Sequence, residues 1–224
     1  MTLTGRLPLK AVLFDWDGTL VDSAPATFEC YRQVFAAYGI AFDERRFRET
    51  YSPNWYETYR RVGLPEEHWP QADDRWLSLY ARQRALPLPQ AAVVLARLAG
   101  AGLRLGLVTS GDRRRIARET AELALDGQWQ TLVCAGEAPR PKPAPDPLLV
   151  ALANIGVRPE QAAYVGDSPE DVYMARAAGV LAIGIPGGFP NREALAAAAP
   201  DFLATSLGLA ADHLLAETDA RPGL

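Results

Sequence analysis

Residues 11–18 read Ala-Val-Leu-Phe-Asp-Trp-Asp-Gly: four apolar positions that run straight into two carboxylates. An unbroken apolar run of that length is what a strand covered on both faces requires. It therefore demands a parallel sheet sandwiched between helices. Asp15 and Asp17, two positions apart, leave the strand end on the same side, and Gly18 lets the chain turn sharply. Neighbouring carboxylates repel unless a cation or a shared proton relieves them. A strand end carrying that cost points to a reactive site rather than an ordinary turn.

Beyond residue 89 the pattern alternates. Helices are predicted over 90–101, 112–125, 146–155, 169–178, 192–198 and 207–217, and strands over 104–109, 131–134, 162–166, 180–185 and 201–204. Such alternation gives right-handed βαβ units. The fold class is α/β, a doubly wound, mostly parallel sheet whose ligands bind beyond the carboxyl ends of the strands. Residues 219–224 are expected to fray. Residues 22–88 show no alternation and hold thirteen of the twenty aromatic rings, the composition of a small helical module with its own core.

Three further segments place chemistry at predicted strand ends. Val108-Thr109-Ser110-Gly111-Asp112 ends a strand in a hydroxyl and leads to a helix capped by Asp112. Thr109, with the backbone N–H groups of Ser110 and Gly111, can hold phosphate oxygens at that helix start. Lys142 stands in the proline-rich Arg140-Pro141-Lys142-Pro143 loop. It is one of only two lysines, beside Lys10, among 23 basic residues. In a chain that otherwise uses arginine, a lysine in a stiff loop implies a need for a compact ammonium. Finally, Gly166-Asp167-Ser168-Pro169-Glu170-Asp171 ends another apolar strand, with Asp167 or Ser168 as cap and with Asp167 and Asp171 on one helical face.

The string Asp15-Trp16-Asp17-Gly18-Thr19-Leu20-Val21-Asp22-Ser23 resembles the first motif of the haloacid dehalogenase superfamily of phosphohydrolases. Thr109, Lys142 and the Asp167–Asp171 segment resemble its second, third and fourth motifs, in order. The resemblance implies a Rossmann-like catalytic core over 1–21 and 89–224 and a helical C1-type cap over 22–88. It implies Mg²⁺ held by Asp15, the Asp17 backbone carbonyl and Asp167. Asp15 would be the nucleophile, forming a phosphoaspartate, and Asp17 the general acid and base. Lys142 would stabilise phosphoryl charge, with Asp171 orienting it or a metal-bound water. If these groups share one ion or phosphoryl group, Asp167 and Lys142 must lie within about 10 Å of Asp15.

Within that superfamily the second acid, Asp17, argues against carbon–halogen cleavage, and the lack of any lysine in 22–88 argues against Schiff-base chemistry. Asp22-Ser23-Ala24-Pro25 together with the Lys142 loop looks most like phosphoglycolate phosphatases. The expected activity is Mg²⁺-dependent hydrolysis of a small phosphorylated metabolite, phosphoglycolate-like or a sugar phosphate. A phosphomutase of the β-phosphoglucomutase type is the alternative, and a non-catalytic sensor of a phosphorylated ligand a remote one. The turn at 50–55 falls where such caps place their specificity loop. Arg48, Tyr51, Asn54 and Trp55 are candidates for contacting the organic part of the substrate. Arg113, which opposes its helix dipole, is another.

A net charge of −4 offers no broad basic face for nucleic acid. No run reaches the roughly 20 apolar residues that span a bilayer, and no signal peptide is evident. Cys30 and Cys134 lie in unrelated segments, as expected of reduced thiols. A cytoplasmic enzyme, monomeric or homodimeric, is expected.

Overall fold

The computed structural model describes residues 7–84 and 86–219. Six parallel strands, β1 (Ala11–Phe14), β2 (Arg104–Val108), β3 (Thr131–Val133), β4 (Ala162–Gly166), β5 (Leu181–Gly184) and β6 (Phe202–Leu203), form one sheet in the order β3-β2-β1-β4-β5-β6. The chain winds outward from β1 to β3, then crosses back to place β4 on the other side of β1. The opening strand is therefore central, at the point where the winding reverses and a crevice opens.

Helices α1 (Ala24–Ala36), α2 (Glu44–Thr50), α3 (Trp55–Val62) and α4 (Trp69–Tyr80) precede the alternating part. There α5 (Ala91–Gly100), α6 (Arg113–Glu122), α7 (Asp146–Ile155), α8 (Pro169–Ala178), α9 (Arg192–Ala197) and α10 (Leu207–Asp219) cover the sheet. Alternate residues of β1 face opposite layers. Val12 and Phe14 pack with Leu95, Leu98 and Leu214, whereas Ala11 and Leu13 pack with Leu148, Leu152 and Met174. Full burial of a side chain such as Phe14 or Leu13 contributes roughly 1.5–3 kcal/mol. Such a strand tolerates no polar residue until Asp15.

The predicted elements appear with boundaries moved by a few residues. Strand β2 stops at Val108, so Thr109 begins the loop, and α6 stops at Glu122 before a 3₁₀ turn over Asp126–Gln128. Helix α10 includes Asp219; the remainder of the tail expected to fray lies outside the described residues.

Helices α1–α4 bury Tyr31, Phe35, Phe42, Phe47 and Tyr59 in a cluster of their own, with Phe35 and Phe42 ring centroids 4.8 Å apart. The chain leaves the sheet and returns to it side by side. The Asp22 N–H donates to the Leu86 carbonyl and the Leu88 N–H to the Leu20 carbonyl, both at 2.8 Å.

Candidate active site

At the carboxyl end of β1 the backbone N–H of Asp15 donates to the Val165 carbonyl (2.9 Å), which keeps the side chain at the crevice between β1 and β4. Asp15, Asp167 and Asp171 each bring a carboxylate oxygen within 4.8 Å of the others, all buried. Lys142 enters from the loop before α7. Its ammonium lies 2.9 Å from Asp15 Oδ1, 2.7 Å from Asp171 Oδ1 and 2.7 Å from the Tyr164 hydroxyl. Three fixed acceptors around one tetrahedral nitrogen suit an ammonium and leave no room for a planar guanidinium. The Tyr164 hydroxyl in turn donates to the Val108 carbonyl at 2.7 Å, tying the lysine to the end of β2.

Burial pushes the Asp15 carboxyl up to about 7; the Lys142 ammonium lowers it, while Asp171 and Asp17 add to the rise. Asp167 is raised well above the carboxylate range, first by burial and then by Asp171 and Asp15. Burial disfavours the charged form of Lys142, but Asp15 and Asp171 outweigh it and hold the ammonium charged. The cluster therefore has more negative groups than its one lysine balances. Asp167 Oδ2 is buried with no hydrogen-bond partner.

Asp167 and Asp171 meet by a route other than a shared helical face. Asp167 lies in the bend between β4 and α8, and Ser168, in extended backbone, is the N-cap. A capping box, in which the Asp171 N–H donates to Ser168 Oγ and the Ser168 N–H donates to Asp171 Oδ2, turns Asp171 back toward the strand end. Gly18 closes the arrangement: with φ of +74°, a Cβ there would lie 2.3 Å from Asp167 Oδ2.

Asp15 and Asp17 are hydrogen-bonded to different cations. Asp17 meets Arg115 of α6 in a two-pronged pair, Nη1 to Oδ1 at 3.0 Å and Nη2 to Oδ2 at 2.5 Å. Burial alone would raise the Asp17 pKa, but the Arg115 charge and hydrogen bonds bring it below its ordinary value. Arg115 is held in turn by Glu119 (3.2 Å) and lies over the Tyr80 ring, while Trp16 Nε1 donates to Glu119 at 2.8 Å. Arg115, Tyr164 and Glu119 went unrecognised in the sequence. Arg115 is one of three consecutive arginines, and only the phase of α6 distinguishes it from Arg113 and Arg114.

Thr109 is buried directly after β2, and its Oγ1 accepts the Gly111 N–H at 3.0 Å. The expectation of two free amides there is thus corrected: Gly111 is engaged, and Ser110 is exposed at the rim. Asp112 caps α6 as predicted, accepting from the N–H groups of Arg114 and Arg115.

The structure treats the outer candidates unequally. Arg113 pairs with Glu137 and donates to the Leu132 carbonyl at 2.8 Å, and so is already satisfied away from the acidic cluster. Arg48 reaches Glu44 on the exposed face of α2 (3.6 Å). Asn54 caps α3 by accepting the Tyr56 N–H (3.2 Å), and Trp55 is 38% exposed at the start of that helix. Tyr51 alone has its hydroxyl within electrostatic reach of the cluster: burial raises it most, and Asp167, Asp17 and Asp15 add to the rise.

A family model described as haloacid dehalogenase-like hydrolase matches residues 12–185, which include all four motifs. The chain belongs to the haloacid dehalogenase-like hydrolases. A phosphoglycolate phosphatase of Yersinia pestis is similar to this hydrolase, 28% identical over 206 residues that cover 86% of this chain and 88% of the relative. An N-acetylmuramic acid 6-phosphate phosphatase of Pseudomonas aeruginosa is 31% identical over 196 residues, covering 84% and 86%. With phosphatases as its curated relatives, the hydrolase is a phosphoric monoester hydrolase. A haloacid dehalogenase-like family protein from Streptococcus pneumoniae shares its fold, with a TM-score of 0.81 at 24% identity over 92% of this chain and 98% of that one.

Proposed function

We propose that this hydrolase cleaves small phosphomonoesters through a phosphoaspartate on Asp15, with Mg²⁺ as cofactor and residues 22–88 as a cap over a core formed by 1–21 and 89–224. The observation that carries the reading is the buried cluster of Asp15, Asp167 and Asp171 around the Lys142 ammonium, 2.9 Å from Asp15.

The donor set fits Mg²⁺, which takes hard oxygen ligands. Asp15, Asp167 and the Asp17 backbone carbonyl would hold it, and the partnerless Asp167 Oδ2 gives the ion an oxygen that the protein leaves unsatisfied. Bound there, the ion would offset the repulsion between the phosphoryl group and Asp15. Thr109 Oγ1, the Ser110 amide and the Lys142 ammonium hold and orient the phosphoryl oxygens, with the Gly111 N–H keeping the threonine hydroxyl in place. An Asp15 oxygen attacks phosphorus while the ester P–O bond breaks, and the departing oxygen takes a proton from Asp17, which must first leave the Arg115 pair that keeps it ionised and take up that proton. Water then attacks the phosphoaspartate and gives its proton to Asp17. Phosphate leaves and the Asp15 carboxylate is restored. Asp171 and Tyr164 keep Lys142 aimed at Asp15.

The substrate class, a small phosphorylated metabolite resembling phosphoglycolate or a sugar phosphate, draws support from the names of the two relatives. A cytoplasmic location is in keeping with two buried free cysteines, Cys30 and Cys134.

The test is phosphate release from a chromogenic aryl phosphate and from a panel of phosphorylated metabolites, with and without Mg²⁺, for wild type and Asp15→Asn. Mg²⁺-dependent release that disappears in the variant is expected. Equal rates in the two proteins would overturn the nucleophile. Little net release, together with isomerisation of a sugar monophosphate primed by a bisphosphate, would mark a mutase instead.

A further inference from the structure

The loop after β5 reads Pro186-Gly187-Gly188-Phe189-Pro190-Asn191, and no sequence motif drew attention to it. It is pressed onto the catalytic turn. A Cβ on Gly187 would lie 2.0 Å from the Gly18 carbonyl oxygen, and one on Gly18 would lie 2.9 Å from the Phe189 ring. Asn191 Nδ2 donates to the Asp167 backbone carbonyl at 3.1 Å, so the loop is fastened to two of the acidic segments at once. From this base Phe189 leaves the sheet side and enters the apolar cluster of α1–α4 beside Ala24, where it is 7% exposed.

Its partner there is Tyr51. The two rings stack face to face, with centroids 4.7 Å apart and planes 13° from parallel. At that separation no group fits between them. Tyr51 is itself held rigidly: its ring meets Phe47 at 5.2 Å, its carbonyl accepts from Arg61 at 3.1 Å, and the following Ser52 N–H donates to Thr58 Oγ1 at 3.0 Å. Burial, and after it the charge of Asp167, holds its hydroxyl protonated. The stack thus stands beside Gly18, whose added Cβ would meet both Asp167 and Phe189, with one ring from the sheet side and one from the helical insertion.

Charge within the neighbouring segment is already committed. Arg45 pairs with Glu49, Arg46 donates to the Val62 carbonyl, Arg48 pairs with Glu44, and Arg60 and Arg61 pair with Glu57. The stack itself is an uncharged aromatic surface.

We propose that Phe189 and Tyr51 act together as a specificity-determining pair, a steric wall that admits phosphomonoesters with a short organic part and turns away those with a ring or branched body. This deepens the phosphatase reading and rests on it. A wall of two rigid rings discriminates by volume, because a bulky body must separate a stacked pair anchored on both sides.

The experiment compares kcat/KM for glycerol 3-phosphate with that for 1-naphthyl phosphate in wild type, Phe189→Ala, Tyr51→Ala and the double variant. Phe189→Leu keeps apolar volume without a ring face and serves where the alanine variant unfolds. The ratio of small to bulky substrate is expected to fall at least tenfold in each alanine variant and at least threefold in Phe189→Leu, with the change carried by KM. The double variant should match the larger single effect, since the two residues form one contact. Ratios within twofold of wild type, or fully additive effects, would overturn the pair while leaving the phosphatase reading intact. Failure of the wild type to release phosphate from either ester would sink both.

Discussion

The crevice at the end of β1 and the helical insertion above it use charged side chains in opposite ways. In the crevice, buried and half-buried charges face one another: Lys142 is shared by Asp15 and Asp171, and Arg115 grips the half-buried Asp17. In the insertion, arginines pair with glutamates a turn away on exposed helix faces, as Arg48 does with Glu44 and Arg60 with Glu57. Exposed pairs of that kind contribute about 0–1 kcal/mol, whereas breaking a buried one leaves an uncompensated charge. Charges in the first region are therefore fixed by chemistry, and those in the second can be exchanged at little cost.

Substitutions give the contrast its sharpest form. Asp15→Asn should reduce turnover of any accepted phosphomonoester by at least about 10⁴-fold, the scale expected on losing a nucleophile. Steady-state phosphate release measures it, and a loss under tenfold would place Asp15 on the same footing as the insertion. Lys142→Arg should cost about 10²-fold or more in kcat, because three close acceptors leave a guanidinium no fit. A variant near wild-type activity would show that charge alone suffices there.

Protons and metal should also act on the crevice selectively. Burial raises Asp15 to about 7 and Asp167 well above its ordinary value, so between the unfolded value of 3.8 and about 7 these two sites bind more protons in the folded chain than in the unfolded one. The contribution of these sites to the stability of the metal-free protein, read as the difference between wild type and Asp15→Asn, should then fall as pH rises through that window, in contrast to groups whose folded pKa is depressed. Mg²⁺ competes with those protons, so it should raise the melting temperature by several degrees at pH 8 and much less at pH 5. Thermal melts across that range, with and without Mg²⁺, check both slopes. A metal effect as large at pH 5 as at pH 8 would separate the ion from these carboxylates.

The smallest effects belong to the outer candidates. Arg48→Ala and Arg113→Ala should change kcat/KM by about threefold or less, since both side chains are satisfied elsewhere. Asn54→Ala should lower stability by about 1 kcal/mol through the lost helix cap, as denaturant unfolding would report, while leaving the crevice intact. A hundredfold loss from Arg113→Ala would move that residue into the site.

The sheet and its acidic edge were legible because each signal is local. A continuous apolar run, a turn glycine and an acid at the strand end can be read in one window, and βαβ winding carries every such end to the same side. Lys142 stood out through the scarcity of lysine in this chain. Arg115, Tyr164 and Phe189 were not legible, for a shared reason. Tyr164 reads as one more apolar strand residue until the β2 carbonyl and Lys142 meet its hydroxyl. Arg115 reads as helix surface until Asp17 faces it, and Phe189 as loop until the insertion descends onto it. Each owes its role to a partner far off in the chain. Arg113 has a distant partner too, Glu137, 24 positions away.

The most direct test is to trap the covalent intermediate. Rapid acid quench of the Mg²⁺-loaded protein during turnover, followed by peptide mass spectrometry, should find one phosphoryl group on Asp15 and none on that segment in Asp15→Asn. A phosphoryl group on another residue, or sustained turnover by Asp15→Asn, would contradict the account.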